Sequence, residues 1–462
     1  MKKVSLLALA AIFITSCSDE TTVFNDASED VTLEGSSSVL ENSILFDDAG
    51  VLVIANEDNI TGKTAKGSNE EQAGDYPLTL IARVDAPSYA GGENLGASHV
   101  HVDGDYAYVS YNTVEDGYAG AIDIVFVGDP TDPRVTSRLY YTNADVNSIH
   151  YDEGYVYIVG GVDSEKSVRA TANSFLVKIP ASNGRMNVSA GLSFAFQEGF
   201  NATDVLVTSN AVIVGSGKDG FLVSYKKSDL SVLTEAPFAD IRSIASDNGN
   251  LAILDGSAGV NFLDANFNVT QEIAIDGDFG DFAKRTLAIS DSEVIVAEGT
   301  DGAGIYNKST GAFKKYLPIL INPEGVAQSD IVTNAVAVNE DIVLMANGGA
   351  GLCLSEDQGN DTDLVGVLDL NGSINFVASK GDYIFAASGK SGLQIVKLNR
   401  PEPSLVSRCA NLVEYFGKAN LEVDEGEVVE YRGSNLFTKI TVEGSLLLCG
   451  TWTVNNNVTV KE

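Results

Sequence analysis

The chain is poor in positive charge. Its 462 residues include 29 Lys and Arg against 64 Asp and Glu, a formal net charge of −35. Binding to nucleic acid needs clustered Lys and Arg that neutralise phosphates, and electrostatic docking on anionic lipid needs the same charge. The composition therefore argues against both surfaces, and we expect no nucleic-acid partner.

A mature membrane-spanning run is missing at the N-terminus. Residues 4–15, VSLLALAAIFIT, follow Lys2 and Lys3, and such a run is too short to cross a bilayer as a helix. A positive end followed by a short apolar run is typical of an export signal. Residues 14–17, ITSC, resemble the lipobox of bacterial lipoproteins, which implies that Cys17 is lipidated. An ordinary signal peptide that happens to carry a cysteine is the alternative.

The residues after Cys17 indicate where the protein is displayed. SDE at residues 18–20 resembles the acidic start of surface-exposed lipoproteins of the Bacteroidota. This resemblance implies a bacterial outer-membrane protein that is exposed at the cell surface. It would contact the membrane through its lipid anchor only. Residues 18–75 carry fourteen Asp and Glu against two Lys, and we predict an acidic flexible tether in which residues 43–56 could form a hairpin.

Cysteine is also scarce, with four in the whole chain. Cys17 is assigned to lipid, and Cys353 lies in an apolar strand, GLCLS, as a small buried hydrophobe. Cys409 and Cys449 remain. Because an exported protein permits disulfides, these two could pair, although their spacing does not establish it.

A repeated strand pattern fills the middle of the chain. An apolar strand, a polar turn and a second apolar strand that ends near Gly recur seven times, at intervals of 40 to 56 residues. The second strands begin at Ala107, Val156, Val212, Ala252, Val294, Val343 and Ile384. Several strands per unit at this period predict a β-propeller, in which a ring of blades buries faces that one blade cannot bury alone.

The first strands of the seven copies share a second pattern. When the copies are aligned, the position of Val100 is apolar throughout, and the preceding position is polar in six copies of seven. That preceding position holds His99, Ser148, Asp204, Ser243, Thr286, Ala335 and Asn375. Alternating strand residues point to opposite sides. We therefore expect the apolar set between blades and the polar set at a central channel, with Asp204 a candidate binding residue.

The last copy resembles a known family. GDYIFAASGKSGLQIVKL, residues 381–398, is similar to the LVIVD-repeat proteins, a β-propeller family of exported bacterial proteins. GAIDIVFVGDPTDPRVTSRL, residues 120–139, matches the same strand–turn–strand pattern. The resemblance covers roughly residues 76–405 and implies a β-propeller with a tendency to bind, to which the seven copies assign seven blades. It brings no catalytic motif.

The two ends of this region suggest how the ring closes. Residues 77–85, PLTLIARVD, read as a fourth strand without a blade, whereas the last copy ends with three strands. Pairing the two would remove two exposed edges. Residues 404–412 are the competing fourth strand. Residues 406–462 form a separate small β tail in which residues 440–460 repeat every six residues, the pattern of a short β-solenoid or of tight hairpins. We expect Trp452 to pack there.

Strong enzymatic motifs are absent. There is no phosphate-cradling loop, zinc-protease His pair or nucleophile elbow. The chain has three histidines, and His101 and His150 occupy equivalent positions in adjacent copies, beside His99. Three imidazoles could hold zinc or a similar metal, although hydrogen-bonded core histidines are the expected outcome. We predict no cofactor, with this metal ion as the alternative.

Long insertions mark one rim of the predicted propeller. They lie at residues 85–97, 112–120, 162–173 and 317–333, in connections that emerge on the same face. That rim carries Tyr89, Tyr118, Lys166 and Arg169 as candidate binding residues, because loops on a rigid scaffold are common binding sites. We expect a non-catalytic binding or scaffold protein for a protein or glycan partner. A metal-dependent hydrolase or lyase that uses the histidines is the alternative.

Overall fold

The computed structural model describes residues 31–46, 50–52, 54–55, 78–89, 93–114, 117–165, 167, 169–247, 249–277, 279–280, 284–340, 342–357, 362–399, 409–410 and 412–461. The chain divides into two compact units, Met1–Asn399 and Arg400–Glu462. The predicted signal and Cys17 lie outside the described residues. Among those described, no helix is both long enough and apolar enough to cross a membrane.

Within the described residues, the strands of the first unit form seven four-stranded antiparallel groups, here called blades 1 to 7 and given from the innermost strand outward. Blade 1 is Gly96–Asp103, Tyr106–Asn112, Gly120–Phe126 and Arg134–Tyr141; blade 2 is Ala144–Asp152, Tyr155–Val162, Ser174–Ser182 and Ser193–Gln197. Blade 3 is Ala202–Val207, Ala211–Ser216, Lys218–Lys226 and the first half of Val232–Asp247; blade 4 is the second half of that strand, Asn250–Asp255, Gly259–Leu263 and Val269–Ala274.

The remaining blades follow the same order. Blade 5 is Leu287–Ile289, Glu293–Ala297, Ala303–Asn307 and Phe313–Leu317; blade 6 is Ala335–Asn339, Ile342–Ala346, Leu352–Asp357 and Thr362–Leu368; blade 7 is Phe376–Lys380, Tyr383–Ala387, Leu393–Leu398 and Leu78–Val84. Shorter elements are the helix Ser37–Glu41, the 3-10 turns Val188–Ala190 and Gln328–Asp330, the strand Arg185–Met186 and the pair Ser88–Tyr89 with Glu93–Asn94.

The blades close into a ring. Each innermost strand contacts the innermost strand of the next blade, and that of blade 7 contacts that of blade 1. Closure depends on Leu78–Val84, which pairs antiparallel with Leu393–Leu398 as the fourth strand of blade 7. The sequence prediction of this closure is confirmed. Most of the competing segment, residues 404–412, lies outside the described residues.

The core is distributed around the ring. Seven apolar clusters occur, each built from two successive blades, and the cluster between blades 7 and 1 closes the series. The interface of blades 1 and 2, for example, packs Ile122 and Leu139 against Ile149 and Ile158. The residues at the Val100 position are buried, apart from the partly buried Phe376. The predicted all-β propeller is therefore the observed fold.

The N-terminal segment departs from its prediction. The described part of the tether, residues 31–46, 50–52 and 54–55, adds edge strands to three blades and is not free. Val31–Leu33 pairs with the outer strand of blade 1, Ile44–Leu45 and Gly50–Leu52 pair with Leu78–Val84 of blade 7, and Ile54–Ala55 pairs with blade 6. The strands within residues 43–56, which were expected to form a hairpin, pair with blades 7 and 6 instead. Outer blade edges offer unpaired backbone groups, and charge alone did not reveal this pairing.

One buried ion pair fastens this segment. Asp123 is fully buried, and its carboxylate accepts from Arg138 at 2.6 Å and from the Tyr111 hydroxyl at 3.1 Å. Arg138 also donates to the Ser43 hydroxyl at 3.0 Å. Because a buried charge without partners is costly, the guanidinium links blade 1 to the N-terminal segment.

The second unit is a small β-solenoid. Its strands Asn420–Val423, Val428–Val442 and Ser445–Val460 are parallel and in register, with Val428 beside Ser445 and Ile440 beside Val458. Parallel stacking of successive turns favours the solenoid over the hairpins that the six-residue repeat also allowed. Its core contains Phe437, and Trp452 stacks on that ring at 5.5 Å between centroids. Cys409 and Cys449 form a disulfide.

Candidate functional site at the mouth of the channel

The innermost strands of four blades begin with a bulge. In blades 1 to 4 the register shifts near the start of the strand, and it skips one residue at the same aligned position each time: Ser98, Asn147, Thr203 and Arg242. A bulge turns a side chain away from the regular alternation. Polar side chains are thereby placed at the end of the channel where the innermost strands start.

These polar residues link the blades. Each donates a hydrogen bond to a group at the start of the next blade, and the series runs around the whole ring. The bonds are Ser98 to Val146 O, Asn147 to Ala202 O, Thr203 to Ile241 O, Arg242 to Gly280 O, Arg285 to Asn334 Oδ1, Asn334 to Ile374 O and Asn375 to Ala97 O, all between 2.7 and 3.0 Å. The ring fixes the mouth of the channel as a rigid polar collar.

The collar surrounds a cavity of about 410 Å³. Side-chain amides dominate its wall, together with cationic and acidic groups and one aromatic ring. Its lining includes Asn112, Asn147, Asn201, Asn334, Asn375, Thr203, Asp145, Asp240, Lys218, Arg242, Lys284 and Phe200. Phe200 is 51% exposed. The volume is within the range of small-molecule pockets, in which a few placed polar groups set specificity.

Lys284 lies at the centre of this arrangement. Its ammonium donates to the backbone carbonyl of Asn147, on the opposite side of the ring, at 2.8 Å, and it lies 5.1 Å from the centre of the Phe376 ring. Burial lowers the pKa of Lys284 to about 8, and the charge of Asp204 opposes this shift. At neutral pH the cavity therefore contains a mostly protonated amine. Among the described residues no carboxylate forms an ion pair with it.

Arg242 differs from Lys284 because it is neutralised. Its guanidinium pairs with Asp240 at 2.5 Å, and both side chains are largely buried. Asp145 is likewise occupied, since its carboxylate accepts from the backbone and hydroxyl of Thr113 at 2.9 and 2.7 Å. Burial raises the pKa of Asp145 against these bonds. These charged residues shape the wall of the cavity, whereas Lys284 feels the charge of Asp204 but forms no ion pair with a described carboxylate.

The channel continues beyond the collar as a second cavity of about 390 Å³. Part of the predicted polar set lines it, namely His99, Asp204, Ser243 and Thr286. Within the described residues, His99 Nδ1 and Ser243 Oγ are buried without a hydrogen-bond partner. Both carboxylate oxygens of Asp204 accept hydrogen bonds, one from Ser148 Oγ at 2.7 Å and one from the backbone N–H of Ile244 at 2.9 Å. It joins blades 2, 3 and 4 rather than pointing free into the channel.

The three histidines do come together in part. The rings of His101 and His150 stack with centroids 4.0 Å apart, whereas His99 packs on Phe376 at 3.8 Å. Burial lowers the pKa of all three, that of His101 to about 4, and the positive charge of Lys284 adds to the effect on His99. In the part of the chain that the structure describes, no group of three or more His, Cys, Asp or Glu is arranged to hold a metal ion. The metal-enzyme alternative gains no support from this geometry.

The predicted rim residues lie elsewhere. All four insertions join strands at the end where the innermost strands begin, but Arg169 packs over Phe194 at 5.2 Å beside a small separate cavity of about 30 Å³. Tyr118 is partly buried outside the collar cavity. Lys166 and the side chain of Tyr89 lie outside the described residues. Their binding roles stay predictions.

Sequence reasoning missed the collar apart from Asn375, which belongs to the predicted polar set. The position two residues before Val100 is polar in six of the seven copies, as is the position directly before Val100. It holds Ser98, Asn147, Thr203, Arg242, Arg285 and Asn334. Strict alternation places this position on the same side of the strand as the apolar Val100, and therefore away from the channel. In blades 1 to 4 the bulge reverses that assignment.

Solved structures with the same architecture support the fold. The chain is similar to the WD40 repeats of RRP9, with a TM-score of 0.50 and 12% sequence identity over 70% of this chain and 97% of that chain. It is also similar to the WD40 domain of Pan2 from Neurospora crassa, with a TM-score of 0.51 and 11% identity over 70% of this chain and 96% of that chain. Identities this low show a shared β-propeller fold alone.

No family model matches the chain, and no curated protein matches it in sequence. The resemblance to LVIVD-repeat lipoproteins therefore stays a prediction from the quoted segments.

Proposed function

We propose that this chain is a non-catalytic binding protein of the LVIVD-repeat type. It is anchored by a lipid on Cys17 at the bacterial outer membrane and displayed at the cell surface. Its seven-bladed propeller binds a protein or glycan partner at the collar cavity. The observation that carries this proposal is the polar cavity of about 410 Å³ at the channel mouth.

The rigidity of the collar supports recognition. The inter-blade hydrogen bonds fix the backbone around the cavity, so a ligand meets groups that are already in place. Pre-organised groups lower the entropy lost on binding. The half-exposed ring of Phe200 at the edge of the cavity adds an apolar contact of the kind that often anchors a partner.

The thiol and the histidines of the first unit support a non-catalytic role. The free cysteine among the described residues, Cys353, is buried, and burial raises the pKa of its thiol to about 12. The histidines have lowered pKa values and lie in the channel beyond the collar, His99 buried and His150 partly buried. A thiol that stays protonated is a poor nucleophile.

Capture from a native envelope tests this proposal. Wild-type protein and the variant Phe200→Ala should be immobilised and exposed to solubilised envelope. A matched control is Phe313→Ala, because Phe313 is 50% exposed on the outer strand of blade 5 and does not line the cavity. We expect the captured partner to be lost with Phe200→Ala and kept with Phe313→Ala. Equal capture by all three proteins would contradict binding at the collar.

The predicted rim provides a second comparison. Shortening residues 162–173 to a Gly-Ser turn leaves the lining of the collar cavity intact. If the shortened protein folds but loses its partner while Phe200→Ala retains it, the rim around Arg169 is the binding surface and the collar is not.

A further inference from the structure

The open polar groups of the collar cavity define the chemistry of its ligand. Among the described residues, Asn112 donates to Asn147 through its amide nitrogen, and its oxygen has no protein partner. Asn375 has the same arrangement, with its nitrogen bonded to Ala97 O. Asn201 accepts through its oxygen and leaves its NH₂ open. The cavity thus offers two amide acceptors and one amide donor group to a ligand.

Mixed amide donors and acceptors suit hydroxyl groups. A hydroxyl donates one hydrogen bond and accepts others, so it can satisfy both kinds of open amide atom at neighbouring positions. The half-exposed Phe200 ring at the edge of the cavity can cover the C–H face of a ring that carries such hydroxyls. Amides together with an aromatic ring favour a saccharide over an apolar ligand.

The charge of Lys284, which forms no ion pair with a described carboxylate, adds a second requirement. The ammonium uses one hydrogen bond on Asn147 O and has two further N–H groups. Arg242 is paired with Asp240 and cannot serve in the same way. In a cavity with restricted solvent, an unpaired cation attracts an anion strongly, and a charge-assisted bond to a carboxylate is stronger than a neutral one.

We propose that the collar cavity binds an acidic saccharide residue, with its carboxylate on Lys284, its hydroxyls on Asn112, Asn201 and Asn375, and its ring against Phe200. This inference rests on the proposed function, because it names the ligand class of the same cavity. It predicts a preference for uronic or other carboxylated sugars over neutral sugars of the same shape.

The test uses matched pairs of oligosaccharides. Short oligosaccharides that end in glucuronic, galacturonic, mannuronic or a nonulosonic acid should be titrated calorimetrically into the full chain beside their methyl esters. The ester keeps the hydroxyls and removes the charge. We expect at least one acid to bind wild-type protein about tenfold or more tightly than its ester. In Lys284→Met this preference should fall to about one.

The matched control is Lys226→Met, since Lys226 is 55% exposed in its side chain, pairs with Asp229 and lies outside the cavity. This variant should keep the preference. A pH series gives an independent readout: the preference should fall as pH rises past about 8, where Lys284 loses its proton, and Lys284→Met should show no such change.

Two results would overturn the inference. One is that no acid in the series binds wild-type protein at millimolar concentration. The other is that acid and ester bind equally well. If capture from the envelope still depends on Phe200 in either case, the proposed binding function stands and only the ligand class is wrong. Loss of both would reject the collar as a site.

Discussion

Lys284 on blade 5 donates a hydrogen bond to the backbone carbonyl of Asn147 on blade 2, at 2.8 Å, although 137 residues separate them. The bond crosses the mouth of the channel between opposite blades. It holds a positive charge at the wall of the collar cavity, where the charge of Asp204 also acts on it.

The stability of the protein should depend on Lys284 in alkaline solution. Its folded-state pKa of about 8 is below the ordinary lysine value of 10.5, so the unfolded chain holds this proton more tightly. Stability therefore rises as pH increases from about 8 to 10.5, by up to about 1.4 kcal/mol per pKa unit. Urea unfolding across this range should show wild-type protein gaining stability relative to Lys284→Met. Parallel curves would contradict the lowered pKa.

The stacked histidines should lower the stability of the folded protein in acid. Burial lowers the pKa of His101 from the ordinary 6.5 to about 4. Folding therefore excludes a proton that the unfolded chain would bind, and stability falls as pH drops from 6.5 towards 4. His101→Phe should lose less stability over that interval than wild-type protein in urea unfolding. His99→Phe removes a buried histidine whose pKa is also lowered, so it should change the pH dependence in the same direction. Equal losses of stability in His101→Phe and wild-type protein would refute the prediction.

The Arg138–Asp123 pair should be essential to blade 1. Arg138→Met leaves a fully buried carboxylate without its cation, which typically costs about 3–5 kcal/mol in unfolding free energy. Arg138→Met combined with Asp123→Leu removes the charge as well and should recover part of the loss. Chemical denaturation of both variants measures the difference. A double variant that is less stable than the single one would show that charge burial is not the cause.

The disulfide should stabilise the solenoid. Cys409 and Cys449 close a loop with a sequence separation of 40 residues, and such a link typically contributes about 2–4 kcal/mol. Trp452 is the single tryptophan and stacks on Phe437 in the solenoid core, so its fluorescence reports this unit alone. Cys449→Ser should shift the fluorescence transition to lower temperature. Wild-type protein in reductant should shift by a similar amount, and a transition unchanged by either treatment would argue against the link.

The anchor prediction depends on residues 14–17 and the apolar run before them. Cys17→Ala should move the protein from the membrane fraction to the soluble exported fraction and abolish fatty-acid labelling. Cys353→Ala, which changes a cysteine in the first unit, is the control. Labelling that persists in Cys17→Ala would show that the N-terminus is not lipidated.

The sequence by itself determined the architecture. Seven copies of an alternating strand pattern, spaced 40 to 56 residues apart, require a ring, because a single four-stranded sheet cannot bury both faces. The orphan strand before the first copy and the three-stranded last copy then indicated how that ring closes, and the six-residue repeat indicated either a solenoid or tight hairpins. These features are periodic and local, so they can be seen without coordinates.

Tertiary structure alone decided the site. A bulge reverses the side on which Asn147 and Arg242 lie, and no alternation rule anticipates a bulge. The opposition of Lys284 to Asn147 depends on ring closure over 137 residues, and the pairing of Arg242 with Asp240 is likewise visible only in the folded chain. The pairing of residues 31–55 with blade edges was hidden for the same reason: the acidic composition suggests solvent, whereas unpaired outer strands supply the hydrogen-bond partners.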